Sequence, residues 1–235
     1  DLAHVLWAVN MGVLGLHVWP FRATAPGDHD EMRIDLDPSP GVTFDMVREA
    51  AAHVRDHLAE LDIIGFAKTT GSKGIHVYVR VEPGWDSFAV RGAVVALGRE
   101  LARRHPELIT DKWWKEERGT RVFVDFNQNA PHKNMFGAWG ARPRVGAQVS
   151  TPFSWDELDT IDPEAMTIDS VPRRLAERGD PWALIDDAAC SIAPLVERFA
   201  TDLADGVPDA SWPPVYPKMP HEAPRVQPSR ARQVD

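Results

Sequence analysis

Cysteine is almost absent from this chain: Cys190 stands alone among 235 residues. One thiol excludes an internal disulfide and a thiolate-based structural zinc site, and a reducing cytoplasm is the expected setting. A basic leader is missing as well. The apolar opening DLAHVLWAVNMGVLGLHVWP is interrupted by His4, Asn10 and His17, which argues against a signal peptide or membrane span. The chain also opens without methionine, as a fragment or processed product would, and it has no internal repeat. Net positive charge is lacking too, the formal balance being −9. Taken alone, that balance argues against nucleic acid, whose binding is driven by counterion release to basic side chains.

The acidic average conceals a split. Residues 111–146 carry seven basic side chains (Lys112, Lys115, Arg118, Arg121, Lys133, Arg142, Arg144) against four acidic ones, whereas residues 147–210 carry four against fourteen. An anion can therefore be met by the middle of the chain and not by its last third. With 43% apolar and 26% charged residues, the length suits one domain or two intimately packed halves.

Along the chain, Leu2, Val5, Leu6, Val9 and Val13 recur at helical spacing. The run MRIDLDPSPG is a short strand ending in a turn, and GVTFDMVREAAAHVRDHLAEL is a helix with an apolar stripe from Val47 to Leu61, capped by Thr43 or Asp45. IIGFAKTTGSKGIHVYVRVEPG predicts a hairpin, DSFAVRGAVVALGRELARRH a second helix and TRVFVDFNQN a further strand. The alternation predicts an α+β fold, a mixed or antiparallel sheet covered by helices on one face. Residues 1–206 form the expected domain, and the Pro-rich residues 207–235 an extended segment packed through Trp212 and Tyr216 with a disordered end.

Strand side chains alternate, and residues two apart lie about 7 Å apart on one face. Met32, Ile34 and Leu36 then oppose Arg33, Asp35 and Asp37; Ile75, Val77, Val79 and Val81 oppose His76, Tyr78 and Arg80; and Val122, Val124 and Phe126 oppose Arg121, Phe123 and Asp125. If the three strands share a sheet with their apolar sides toward the helices, Asp35, Asp37, His76 and Asp125 converge on the open side. Carboxylates held that close repel unless a cation compensates them. Oxygen-only ligands suit Mg²⁺ or Mn²⁺, hard ions that also bridge phosphates.

TTGSKGIH supplies the anion side: Gly71 and Gly74 let backbone N–H groups turn toward a phosphate, Thr70 or Ser72 can donate, and Lys73 adds charge. The G-x-x-x-x-G-K-[ST] spacing of a P-loop is absent and a strand follows, and the same four residues also serve as an ordinary turn with His76 a satisfied histidine. Arg142 and Arg144 share a face if extended and can grip a phosphate bidentately, as can Arg118, or they form a solvated basic loop and a surface ion pair. Nine tryptophans mostly fill the core, with Trp113, Trp114 or Trp139 available to stack a base, and His17 is either a nucleotide contact or a core histidine.

The ordered motifs WAVNMGVLGLHVWPFRA, RIDLDPSPG, TTGSKGIHVYV, RVFVDFNQN and ARPRVGAQVSTPFSWDEL, spanning residues 2–182, resemble the polymerase domain of bacterial ligase D and its stand-alone actinobacterial relatives, the primase-polymerases of the archaeo-eukaryotic primase superfamily. NQNAPHKNMFGAW followed by RPRVGAQVSTP is more similar to the stand-alone enzymes. The resemblance implies an RRM-like catalytic core and a triad of metal-binding aspartates, Asp35, Asp37 and Asp125, that holds two ions, with manganese favoured. It also implies that Thr70, Ser72, Lys73, Gly74 and His76 hold the nucleotide, with lysine and histidine directed at the triphosphate. Arg118, Arg142 and Arg144 then belong to the nucleotide pocket, and His17 belongs to the family's H-x-W element beside the incoming nucleotide. The implied substrates are an NTP or dNTP and DNA with a short gap or broken end bearing a 5′-phosphate. The implied setting is cytoplasmic and nucleoid-associated, with an ATP-dependent DNA ligase and an end-binding protein as partners and no membrane.

In that family a basic subdomain that grips the downstream 5′-phosphate ordinarily precedes the WAVN segment; a chain beginning at Asp1 would be expected to lose that grip, and a trimmed one to keep it. Two other classes compete with a nucleotidyltransferase. A D-x-D glycosyltransferase would use an α/β nucleotide-sugar fold and would not need Asp125. A silent DNA-end-binding module gains nothing from carboxylates facing phosphates.

Overall fold

The computed structural model describes residues 1–213. Ten-residue β2 (His29–Pro38) and eleven-residue β4 (Ile75–Trp85) form the middle of a six-stranded sheet. Adding β3 (Gly65–Thr69), β5 (Ile109–Thr110), β6 (Val122–Asp125) and β8 (Pro152–Phe153) gives the order β5-β6-β2-β4-β3-β8. Every pairing is antiparallel except β5 with β6. A separate ribbon joins β1 (His17–Val18) to β7 (Met135–Phe136).

The alternation expected of the strands is the one observed. Met32, Ile34, Leu36, Ile75, Val77, Val79, Val122 and Val124 are fully buried, each contributing about 1.5–3 kcal/mol relative to exposure. Helices α2 (Phe44–Ala59) and α3 (Ser87–Arg104) cover them from one side, through Val47, Ala50, Val54 and Leu58 on the first and Val90, Val94 and Leu97 on the second. Thr43 Oγ1 accepts from the Met46 amide and Asp86 Oδ1 from that of Ala89, which starts both helices where the caps stand. Short α4 (Lys115–Arg118) precedes β6, α5 (Val171–Arg178) follows the sheet, and α6 (Ala193–Ala204) lies against α3.

Three expectations change. The opening stripe does form a helix, α1 (Leu2–Asn10), yet none of its residues is buried and Val13 lies beyond its end. The charged face of the sheet is open only at one end: Arg33, Lys68, His76 and Tyr78 lie beneath other parts of the chain and are almost fully buried. Phe126 continues not as strand but as a 3₁₀ turn, Phe126–Asn129. Trp212 does pack, with the Arg91 guanidinium 3.8 Å from its ring centre; Tyr216 and the end of the Pro-rich segment lie outside the described residues.

Gly74 is the tightest point between the hairpin and β2. A Cβ there would lie 2.5 Å from the Leu36 carbonyl oxygen, a backbone atom between Asp35 and Asp37 that cannot yield without moving the strand. Gly74→Ala is therefore expected to cost about 1–3 kcal/mol, read as a lowered denaturation midpoint. An unchanged midpoint would show that the turn relaxes away from β2.

Candidate functional site

At the open end, β2 is hydrogen-bonded on both edges. Asp35 stands directly opposite Asp125 on β6 and opposite His76 on β4, so period two sends all three to one face; such cross-strand partners have Cβ atoms about 4.5–5.5 Å apart. Asp37, two residues on, stands opposite Phe123, and its side chain is 59% exposed against 17% for Asp35. Burial raises all three carboxyls to about 6, and mutual repulsion adds to it: Asp35 and Asp125 push Asp37 up, and Asp35 pushes Asp125 up. The shift of exposed Asp37 is the one most reduced by solvent.

Asp125 is oriented by its own turn, its Oδ1 accepting from the Asn127 amide at 2.9 Å and its Oδ2 from Gln128 Nε2 at 2.8 Å. His76 is buried and its imidazole is held neutral by that burial, with Nε2 3.3 Å from Asp35 Oδ1. It faces the Asp35 carboxylate and also lines the cleft in which the triphosphate contact was expected. Arg118 is likewise more bracket than free cation. Nε and Nη2 donate to the carbonyls of Lys112 and Trp113, the guanidinium lies 3.7 Å from the Phe123 ring centre, and only Nη1 approaches Asp37, at 3.8 Å.

A cleft of 240 Å³ adjoins the carboxylates and is lined by Asp35, Asp37, Thr70, Ser72, Lys73, Gly74, His76 and Arg142. In its hairpin the Thr70 hydroxyl accepts from the amides of Ser72 and Gly74, so those two N–H groups are satisfied within the turn and do not point at a ligand. Lys73 is exposed, Arg142 Nε donates to the Thr70 carbonyl, and Arg144 Nη1 donates to Ser72 Oγ at 3.0 Å. Both arginines thus reach the hairpin, through a loop more than 70 residues away in sequence. His17 is exposed on β1 and does not line this cleft; its ring meets Phe136 edge-on at 5.2 Å, and Arg142 covers Phe136 at 3.8 Å. Trp113 packs against the core with its indole nitrogen unpartnered, and Trp139 has a left-handed backbone, φ 61°.

Sequence pattern missed Lys68. It is fully buried on β3 opposite His76, and Nζ donates to Ser150 Oγ at 2.5 Å and to the Phe136 carbonyl at 3.1 Å. Burial lowers it to about 7 while the Asp35 charge opposes the fall. Its one signal is a lysine inside the otherwise apolar strand GFAKT.

Three hard carboxylates whose charges oppose one another have the donor chemistry for a divalent cation. Among the described residues, however, no three His, Cys, Asp or Glu side chains stand as a ready-made ligand cluster. Beside them, hydroxyl, ammonium and guanidinium groups suit a polyanion, so the arrangement can bring phosphate and cation together.

Fold and comparison agree on the class. The family model described as LigD, primase-polymerase domain, matches residues 1–182, and the chain belongs to that family. The multifunctional non-homologous end joining DNA repair protein LigD of Mycobacterium tuberculosis is 33% identical over 205 residues, 82% of this chain and 26% of the relative. LigD of Pseudomonas aeruginosa is 33% identical over 181 residues, 75% of this chain and 21% of the relative. The chain spans about a quarter of the length of these curated relatives. Among solved structures, the polymerase domain from Mycobacterium tuberculosis ligase D in complex with DNA is similar with a TM-score of 0.72 and 31% identity, covering 78% of this chain and 67% of that one. Among the described residues no helix is long and apolar enough to cross a membrane.

Proposed function

We propose that this chain is a template-dependent nucleotidyltransferase of DNA repair, adding ribonucleotides and also deoxyribonucleotides to a primer 3′-hydroxyl at short gaps or broken ends. The observation that carries the reading is Asp35 facing Asp125 across β2 and β6 beside a cleft lined by Ser72, Lys73 and Arg142. Membership of the LigD primase-polymerase family and likeness to a domain solved with DNA support it. The antiparallel sheet is unlike the α/β fold a D-x-D glycosyltransferase would use.

Asp35, Asp37 and Asp125 would hold two Mn²⁺ or Mg²⁺ ions, which when bound lower the pKa of the attacking hydroxyl and neutralise the triphosphate. The chain's own side chains do the positioning. Lys73, Ser72, Arg142 and Arg144 bind the triphosphate. Neutral His76 holds Asp35, Arg118 steadies Asp37, and His17 borders the incoming nucleotide through Phe136. The partners are an NTP or dNTP, gapped or broken DNA with a 5′-phosphate, an ATP-dependent ligase and an end-binding protein, on the nucleoid in the cytoplasm.

The test is extension of a labelled primer across a short gap with a downstream 5′-phosphate, with Mn²⁺ and either ribo- or deoxyribonucleotides. Template-directed addition, greater with ribonucleotides, is expected. A chain that binds neither nucleotide nor Mn²⁺ would instead be the silent end-binding module.

The carboxyls also predict a pH effect. They hold protons to about pH 6 when folded but only to about pH 4 when unfolded. Without cation the folded form binds more protons within that window, so its stability falls as pH rises through it. Mn²⁺ is therefore expected to raise the melting temperature more at about pH 7 than at about pH 5. An equal rise at both would separate Mn²⁺ binding from these carboxyls.

A further inference from the structure

Residues 207–213 lie beyond the 1–182 matched by the family model, yet they reach the turn that carries Asp125. The link is Arg91, on α3 and 1% exposed. Its Nη1 donates to Asp209 Oδ1 at 3.0 Å, and its Nη2 to the carbonyls of Ala210 and Ser211 at 2.7 and 3.1 Å. Trp212 covers one side of the guanidinium at 3.8 Å and Phe126 lies 5.2 Å from it. Its Nε donates to Asn127 Oδ1 at 2.9 Å.

Asn127 is thereby held from three sides. Its Oδ1 accepts from Arg91, its Nδ2 donates to the Ser211 carbonyl at 3.0 Å, and its backbone amide donates to Asp125 Oδ1 at 2.9 Å. Without residues 209–211 a buried guanidinium would lose three acceptors. Such a loss costs enough to make the group move, and Asn127 is tied to it.

We propose that residues 207–213 are a strap that positions Asp125 for its cation, acting through Arg91 and Asn127. The inference rests on the reading of Asp125 as a metal ligand. Groups that orient a ligand in this way typically change metal affinity 10–100-fold when lost. The strap is thus a positioning element outside the catalytic carboxylates.

The test uses the whole chain carrying Asp209→Ala with Trp212→Ala, both outside the helices and strands, alongside Trp212→Phe, which keeps an aromatic face over Arg91. Mn²⁺ affinity is read from the free-ion electron paramagnetic resonance signal, and kcat and nucleotide KM from extension. The double variant is expected to bind Mn²⁺ about 10-fold more weakly, with lower kcat, unchanged nucleotide KM and retained helical circular dichroism, while Trp212→Phe, which gives up only the indole bond to Asp209 Oδ2, lies between it and the parent. Unchanged Mn²⁺ affinity in the folded double variant overturns the strap. If the double variant does not fold, Asn127→Ala decides by the same readout. Asp125→Ala, run in parallel, separates the two ideas: if it leaves Mn²⁺ affinity intact, Asp125 is no ligand and the underlying reading fails first.

Discussion

Asp125→Ala is expected to abolish primer extension, by about 10³-fold or more, while leaving the metal-free fold at least as stable as before. The first half follows from the role assigned to this carboxylate: losing a cation that stabilises charge in the transition state forfeits several kcal/mol, and each 1.36 kcal/mol is about tenfold in rate. The second half follows from its surroundings. Burial and the Asp35 charge raise its carboxyl to about 6, so at neutral pH it is ionised against a cost that alanine does not bear. Two bonds, from the Asn127 amide and Gln128, are lost in exchange; Gln128 is half-buried and can turn to water, and the buried Asn127 amide sets the part of the gain that is given back. Single-turnover extension together with thermal melting checks both halves. Full activity would end the assignment, and a collapse of melting would make Asp125 a structural residue.

Arg33→Met is expected to show the largest loss of stability, about 3–5 kcal/mol, the cost of removing one partner from a buried ion pair. Arg33 is fully buried on β2. Its Nη1 and Nη2 donate to the carbonyls of Val18 and Trp19 at 3.0 and 2.7 Å, and Nε and Nη2 bind Glu31 at 3.0 and 2.7 Å. Methionine fills much of the volume but leaves the Glu31 carboxylate, 21% exposed, without its cation and two carbonyls without donors. The segment bearing His17 would lose its anchor to the sheet. A urea or guanidinium denaturation series measures the effect, and a loss below about 1 kcal/mol would mean that water replaces the guanidinium.

Those two residues also mark what the sequence made legible. Asp35, Asp37 and Asp125 were readable because a strand has period two and the apolar partners Ile34, Leu36 and Val124 announce which side is core. The helices α2 and α3 were readable for the same reason at period 3.6, and Thr43, one of the two caps expected for α2, is the one observed. Arg33, Lys68 and Arg91 were not, because their partners are backbone carbonyls or side chains far along the chain: Val18 and Trp19, Phe136 and Ser150, Ala210 and Ser211. No periodicity records a carbonyl. The β1–β7 ribbon escaped for want of length, each strand being two residues. The apolar stripe of α1 gave the helix correctly but not its environment, since a stripe predicts burial only where another element lies against it.

The two halves of the cleft differ in how they are held. Residues 35–38 of β2 are paired to β6 on one edge, and residues 31–36 to β4 on the other, so amide protons there exchange with solvent only when the sheet itself opens. Arg142 and Arg144 ride on a loop in which Pro143, Arg144 and Val145 are exposed; each reaches the hairpin by one side-chain bond, and the Arg142 amide donates to the Gln148 carbonyl at the base of the loop. The carboxylates thus sit on the side of the cleft held by sheet pairing, and the guanidiniums on the side held by fewer and more exposed bonds. Under the function proposed above, nucleotides of different base and sugar would be gripped at their shared triphosphate by the guanidinium side, while the carboxylates stay in register with the paired middle of the sheet.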